Sequence, residues 1–184
     1  DEGNYGFNLF LEKITSPNIW GLSCLTSELN CGVAWNSLWM AVLVGAGTTV
    51  LGLAFALLVT RTGMQAKGFV RTVSLLPIIT PPFVIGLALI LLFGRAGAVN
   101  VFLEWAFDIT PSRWLYGLTG ILIAQILAYT PIAFLVLIGV VEGVSPSMEE
   151  AAQTLRASNW RTFWTVSLPL MRPGLANAFL LGFI

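Results

Sequence analysis

Histidine is absent from the 184 residues, which removes the commonest transition-metal ligand and the usual proton relay at once. Charge is scarce: Asp, Glu, Lys and Arg together make 10% of the chain, where a soluble domain carries about a quarter. The two signs balance at nine basic and nine acidic side chains. Net charge therefore points neither to nucleic acid nor to an acidic partner, and only the placement of the charges is informative. A G-x-x-x-x-G-K-[ST] phosphate loop is missing, so the chain does not bind and hydrolyse ATP by that route. There is no initiator Met and no basic segment followed by a short apolar core, so the chain is expected to start inside a longer protein rather than with a signal peptide.

What remains is apolar: 57% of residues, with seven Trp. That composition defines an integral membrane protein, and the expected fold is an all-α, polytopic transmembrane helical bundle. Residues 1–34 carry Asp1, Glu2, Glu12 and Glu28 against Lys13 and read as an extracytoplasmic segment with a short surface helix near Phe7 to Ile14. Cys24 and Cys31 lie here. On an oxidising face they could pair and close a short loop; otherwise they are two thiols. A partial transmembrane domain is expected over 35–184. Its first span, Trp35 to Thr60, is free of charge and long enough for a hydrocarbon core of about 30 Å. Ala41, Gly45, Thr48, Gly52 and Ala56 make a strip of small residues along it, fit for close approach of another helix. Arg61, Lys67 and Arg71 follow without an acid, which places that loop in the cytoplasm.

The second span, Thr72 to Phe93, is broken by Pro77 and by Pro81 and Pro82, with Ser74 and Thr80 close by. Proline frees upstream carbonyls that lipid cannot satisfy, so such a helix either borders a water-filled path or is merely kinked for packing. Gly94 to Trp114 mixes charges and should lie outside, with an amphipathic patch from Val99 to Phe107. Glu104 and Asp108, one helical turn apart, read as a solvated face rather than a metal site. The third span, Leu115 to Val141, carries Gln125, Tyr129 and Thr130 before Pro131. These residues, with Pro77, Thr80, Pro81 and Pro82, are the candidates for a pathway lining. Residues 142–173 form a polar loop, and Gly174 to Ile184 begins a fourth span. The basic residues agree with this alternation at every crossing: one before Trp35, three at 61–71, two at 94–114 and three in the polar loop. The three complete spans hold no ionisable Asp, Glu, Lys, Arg or His. Carriers driven by ion gradients usually need such groups within the membrane, so a transporter of this composition would take its energy from a partner.

The polar loop, VSPSMEEAAQTLRASNWRTFWTVSLPLMRP from Val144 to Pro173, reads as helix, turn, helix. Pro146 and Ser147 give an entry signal with Ser147 as N-cap, Glu149 and Glu150 suit the positive helix end, and Ala151 to Leu155 are good helix formers. A second helix is expected from Asn159, with Trp160, Phe163, Trp164 and Ser167 at three-to-four spacing, before Pro169 and Pro173 punctuate the chain. Taken alone, the loop could be a cytoplasmic segment anchored to headgroups by its aromatic residues.

Glu150, Ala151 and Ala152, followed at the right distance by Leu168 and Pro169, resemble the EAA loop of bacterial ATP-binding-cassette importer permeases. The family's glycine position holds Arg156, where either Ala157 and Ser158 shift the turn or the motif is degenerate. The likeness runs more loosely over Trp35 to Ile184, and TLRAS, NWRTFW and SLPLMRPGL look most like the ferric-iron branch. The resemblance implies a multi-pass permease of the bacterial inner membrane, with residue 1 outside and the loop in the cytoplasm. Glu150, Ala151, Ala152, Leu155 and Arg156 would dock on an ABC ATPase, with Leu168 and Pro169 setting the return into the membrane. ATP and Mg would be bound by that partner and not by this chain. It also implies a second permease half and an extracytoplasmic substrate-binding protein, with ferric iron as cargo. Sulfate, molybdate, polyamine and thiamine importers share the loop pattern, and a non-transporting scaffold that binds a cytosolic protein is the reading from another class.

Overall fold

The computed structural model describes residues 2–21, 32–61, 67–69, 71–72 and 80–184. Pro77, Cys24 and Cys31 lie outside the described residues, and with them the expected proline break at 77 and the disulfide. Among the described residues all regular structure is helical. Packing divides the chain into two units, Asp1–Leu43 and Val44–Ile184.

In the first unit, α1 (Glu2–Ile14) is longer than the surface helix expected from Phe7, and α2 (Pro17–Trp20) follows it with proline in its first turn. The indole N–H of Trp20 donates to the Ile14 carbonyl at 2.7 Å, which ties the two together. The indole of Trp35, at the start of α3 (Val33–Arg61), donates to the Trp20 carbonyl at 3.1 Å. Phe7 and Phe10 of α1 remain exposed, as the apolar side of a helix at a membrane surface would be.

The second unit is built on the small-residue strip. The buried residues of α3 are Val44, Gly45, Thr48, Gly52 and Ala56. A Cβ on Gly52 would stand 2.9 Å from the Phe134 amide nitrogen and 3.0 Å from the Ala133 carbonyl carbon. One on Gly45 would stand 3.0 Å from the Phe179 carbonyl oxygen. Both neighbours are backbone, so α3 lies directly on α6 (Leu118–Glu142) and α9 (Leu168–Phe183), as small-residue crossings in membranes allow. Thr48 is wholly buried there, and its hydroxyl donates back to the Val44 carbonyl at 2.8 Å, which satisfies it without a partner helix. Phe134, Leu137 and Val141 of α6 and Met171 of α9 fill the core between them.

Of the expected second span, the structure describes residues 72 and 80–93. The helix described here, α4, runs Pro82–Phe93, with Pro81 as its N-cap and Pro82 at its first position. At the proline pair the backbone is non-helical at Thr80 and Pro81, as the expected break requires, and Pro82 can open α4 because a first-turn residue has no intrahelical acceptor for its N–H and loses nothing by lacking it. At 12 residues, α4 is about 18 Å long. Extended backbone at Gly94 and Gly97 separates it from α5 (Ala98–Phe107), which occupies the amphipathic patch. Length and composition would let Pro82–Phe107 cross a membrane, as they would α3 and α6. Asn100 fixes the junction: its amide donates to the carbonyls of Phe93 at 3.2 Å and Gly94 at 2.8 Å, two of the orphan acceptors at the end of α4. The ring of Phe93 meets Trp114 edge-on at 6.1 Å. Asp108 closes α5 in the left-handed conformation with φ 54°, its N–H on the Glu104 carbonyl, so the two acids share a cap.

Candidate coupling loop

After α6 the chain makes one turn and enters α7 (Pro146–Thr154). The helix begins a residue before the expected cap. Pro146 takes the first position, and the Ser147 hydroxyl lies 2.8 Å from that of Ser145, so Ser147 is a first-turn residue and not the N-cap. Proline's fixed φ suits that place.

α7 ends in a left-handed turn at Arg156, φ 61°. The Ala157 N–H bonds to the Ala152 carbonyl at 3.1 Å, the long closing bond of a Schellman motif with Arg156 at its left-handed position. The turn is therefore neither shifted to Ala157 and Ser158 nor lost. It stands at the residue aligned with the family's glycine, and an arginine adopts it.

Ser158 then caps α8 (Asn159–Thr162) by accepting from the Arg161 N–H at 3.3 Å. The expected break at Pro169 is not found. α8 passes through a π-turn over Phe163–Ser167 and continues into α9, so helical backbone runs from Asn159 to Phe183. The last wide-turn bond runs from the Leu168 N–H to the Phe163 carbonyl. The extra residue re-spaces the carbonyls just where Pro169 can neither donate nor tolerate a close i−4 carbonyl. Leu168 and Pro169 thus bend a continuous rod.

The inner side of α7 is held by charge. Glu149 places Oε2 2.8 Å from Arg61 Nη1, and its Oε1 accepts from the Ser167 hydroxyl at 2.7 Å. Arg61 also points its other nitrogen toward the carbonyls of Val141 and Val144, each at 3.5 Å. The last residue of α3, the first turn of α7, the end of α6 and the π-turn meet at this node. It borders a cleft of about 740 Å³ whose walls are mostly apolar, with Leu57, Leu58, Phe163 and Met171 among them. The Thr162 hydroxyl in that wall is buried without a protein partner.

The outer side of α7 is apolar and uncovered. Met148, Ala151 and Leu155 recur at helical spacing and all are exposed, Leu155 to 84%; Glu150 is exposed beside them and Ala152 half-buried. Trp160 packs its ring on Phe163 at 6.4 Å and edge-on to Trp164 at 5.5 Å, and both tryptophans are exposed.

The described pathway candidates form no part of the cleft. Thr80 and Gln125 are half-buried, while Pro81, Pro82 and Tyr129 are exposed. Thr130 is buried with its hydroxyl donated to the Ile126 carbonyl at 2.6 Å, so its donor is occupied within α6. No three His, Cys, Asp or Glu side chains gather as a metal site among the described residues. The Arg61–Glu149–Ser167 node and the Asn100 cap were not foreseen. Arg61 reads in sequence as a topology marker and Glu149 as a helix-end charge, and nothing in the chain marks partners so far apart.

Three candidate membrane helices and a polar elbow at their ends make this a polytopic membrane protein. The family described as binding-protein-dependent transport system inner membrane component matches residues 48–184, and the chain belongs to it. The chain is 48% identical over 160 residues to the putative ferric transport system permease protein FbpB 1 of Haemophilus influenzae, covering 87% of this chain and 25% of that protein. With the ferric transport system permease protein FbpB of Actinobacillus pleuropneumoniae it shares 49% over 149 residues, covering 81% and 22%. The molybdenum transport system permease protein ModB of Escherichia coli is 32% identical over 153 residues, with 79% and 66% covered. The chain thus spans about a quarter of the length of the two ferric relatives. A crystal structure of a bacterial alginate ABC transporter in complex with a pentasaccharide-bound periplasmic protein shares the fold, with a TM-score of 0.68 at 16% identity over 95% of this chain and 62% of that one.

Proposed function

We propose that this chain forms part of the permease of an ATP-driven importer for ferric iron, with α7 as the element gripped by a separate ATPase subunit. The observation that carries the reading is the uncovered face of Met148, Ala151 and Leu155 on a helix whose opposite side is pinned by Glu149. A helix held on one side and bare on the other can pass a push from a soluble partner to the spans, and the alanine permits close approach. Glu150, exposed beside that face, would pair with a basic or backbone donor of the ATPase, and Arg156 and Leu155 would border the contact. ATP and Mg would sit in that partner. A second permease half and an extracytoplasmic binding protein would complete the assembly and leave iron as cargo. Identity near one half to ferric permeases, against about a third to the molybdenum one, supports that choice of cargo.

The test is co-purification of the full-length protein from membranes, followed by uptake in vesicles. The expected result is an ATPase carrying a phosphate loop in the complex, and ferric iron uptake that stops when that loop's lysine is changed. Uptake of molybdate or sulfate instead would move the cargo, and recovery of a cytosolic partner without an ATPase would favour the scaffold.

A further inference from the structure

We propose that Arg61 and Glu149 are positioning residues that pass movement of α7 into the first span, a role that rests on the transport reading above. α7 packs on α8 and on the π-turn, and its link to α3 is made by side chains: the Glu149 carboxylate binds Arg61 with one oxygen and Ser167 with the other. One carboxylate therefore joins the docking helix to two core helices at once, to α3 through the guanidinium and to the rod of α9 through the hydroxyl. Arg61 in turn reaches the carbonyls of Val141 and Val144 at the end of α6, so each helix that frames the core contributes to the node.

The environment suits a clasp that holds and can be released. Both side chains are partly shielded, 31% exposed for Arg61 and 20% for Glu149, and the apolar cleft beside them keeps the attraction stronger than at an open surface. Water still reaches both groups, so separation leaves neither charge stranded. The use of Glu149 on the inner side also divides the labour of the paired acids: Glu149 faces the membrane helices and Glu150 faces outward. An ion pair that only fixed the resting fold would affect assembly and stability. A clasp that transmits movement sets how much transport accompanies each ATP hydrolysed.

The experiment uses the assembled transporter in proteoliposomes with iron-loaded binding protein, measuring ATP hydrolysis and iron uptake together. Arg61→Ala and Glu149→Gln are expected to retain the ATPase subunit and its turnover while uptake per ATP falls about tenfold, and Arg61→Glu combined with Glu149→Arg to recover most of that loss. Glu149→Gln keeps the volume and the Ser167 contact, so it reads the charge pair even if Arg61→Ala fails to assemble. Unchanged uptake per ATP in Glu149→Gln, or a double reversal no better than either reversal alone, overturns the clasp and leaves the transport reading standing. A wild-type complex that hydrolyses ATP without moving iron overturns the transport reading itself, and the clasp with it.

Discussion

Arg156 stands where a side chain is least welcome. Its φ of 61° puts an L-residue in the left-handed region, at a cost of about 1–2 kcal/mol that glycine avoids. Glycine returns part of that gain through its greater freedom in the unfolded chain. Arg156→Gly is therefore expected to stabilise the loop by up to about 1 kcal/mol, whereas a β-branched residue such as Val should destabilise it by more than that. Thermal unfolding in detergent, with the wild type as reference, reads both. A loss of stability in Arg156→Gly would mean that the guanidinium makes a contact worth more than the strain. The same residue shows what a sequence can convey: the motif gave the place of the turn, but only the backbone shows that the arginine accepts the conformation rather than displacing it.

At the scale of elements, the face of α3 sorts its glycines by what lies opposite. Gly52 abuts the backbone of α6, whereas a Cβ on Gly86 of α4 would meet nothing within 4 Å. Gly52→Val should cost about 1–3 kcal/mol or prevent folding, because a backbone neighbour cannot rotate away. Gly86→Ala should be neutral or stabilise by up to about 1 kcal/mol through helix propensity. Equal behaviour of the two variants in detergent unfolding would show that the strip is not the crossing point. This crossing was legible because the period of small residues at 45, 48, 52 and 56 matches a helix face, and a charge-free run can only be a helix in lipid. The start of α4 at Pro82 was less so, since a proline pair signals an interruption without saying at which residue the helix after it begins. Asn100 was not legible at all: an amide within an amphipathic patch looks solvated until the end of α4 is brought within 2.8 Å. On α7, the exposed positions predict their own phenotype. Ala151→Trp and Glu150→Lys should leave insertion intact and reduce uptake at least about tenfold, since a bulky or reversed group at a packed contact typically costs more than one decade in affinity. Normal uptake in both would remove α7 from the ATPase contact.

For the molecule as a whole, the sides of the membrane follow from α6. Its 25 residues give about 38 Å of helix, enough to separate its two ends by a hydrocarbon core of about 30 Å. At its N-terminal end lies the Asn100 junction, whose segment 94–114 carries Arg95 and Arg113 against Glu104 and Asp108. At its other end lies the elbow, with Arg156, Arg161 and Arg172, and with Arg61 docked against Glu149. The excess of arginine selects the elbow as the cytoplasmic side. The clasp adds a constraint that counting charges does not, since α3 must end on the face where α7 lies. Single cysteines placed at Asp108 and Glu150, both exposed, in a chain with Cys24 and Cys31 changed to serine, should report opposite sides. A membrane-impermeant maleimide added to intact spheroplasts is expected to label the Asp108→Cys protein alone, and to label Glu150→Cys only after the membrane is opened. Labelling of Glu150→Cys from outside would turn the elbow away from every cytosolic ATPase, and no cargo assignment made through homology to permeases would survive it.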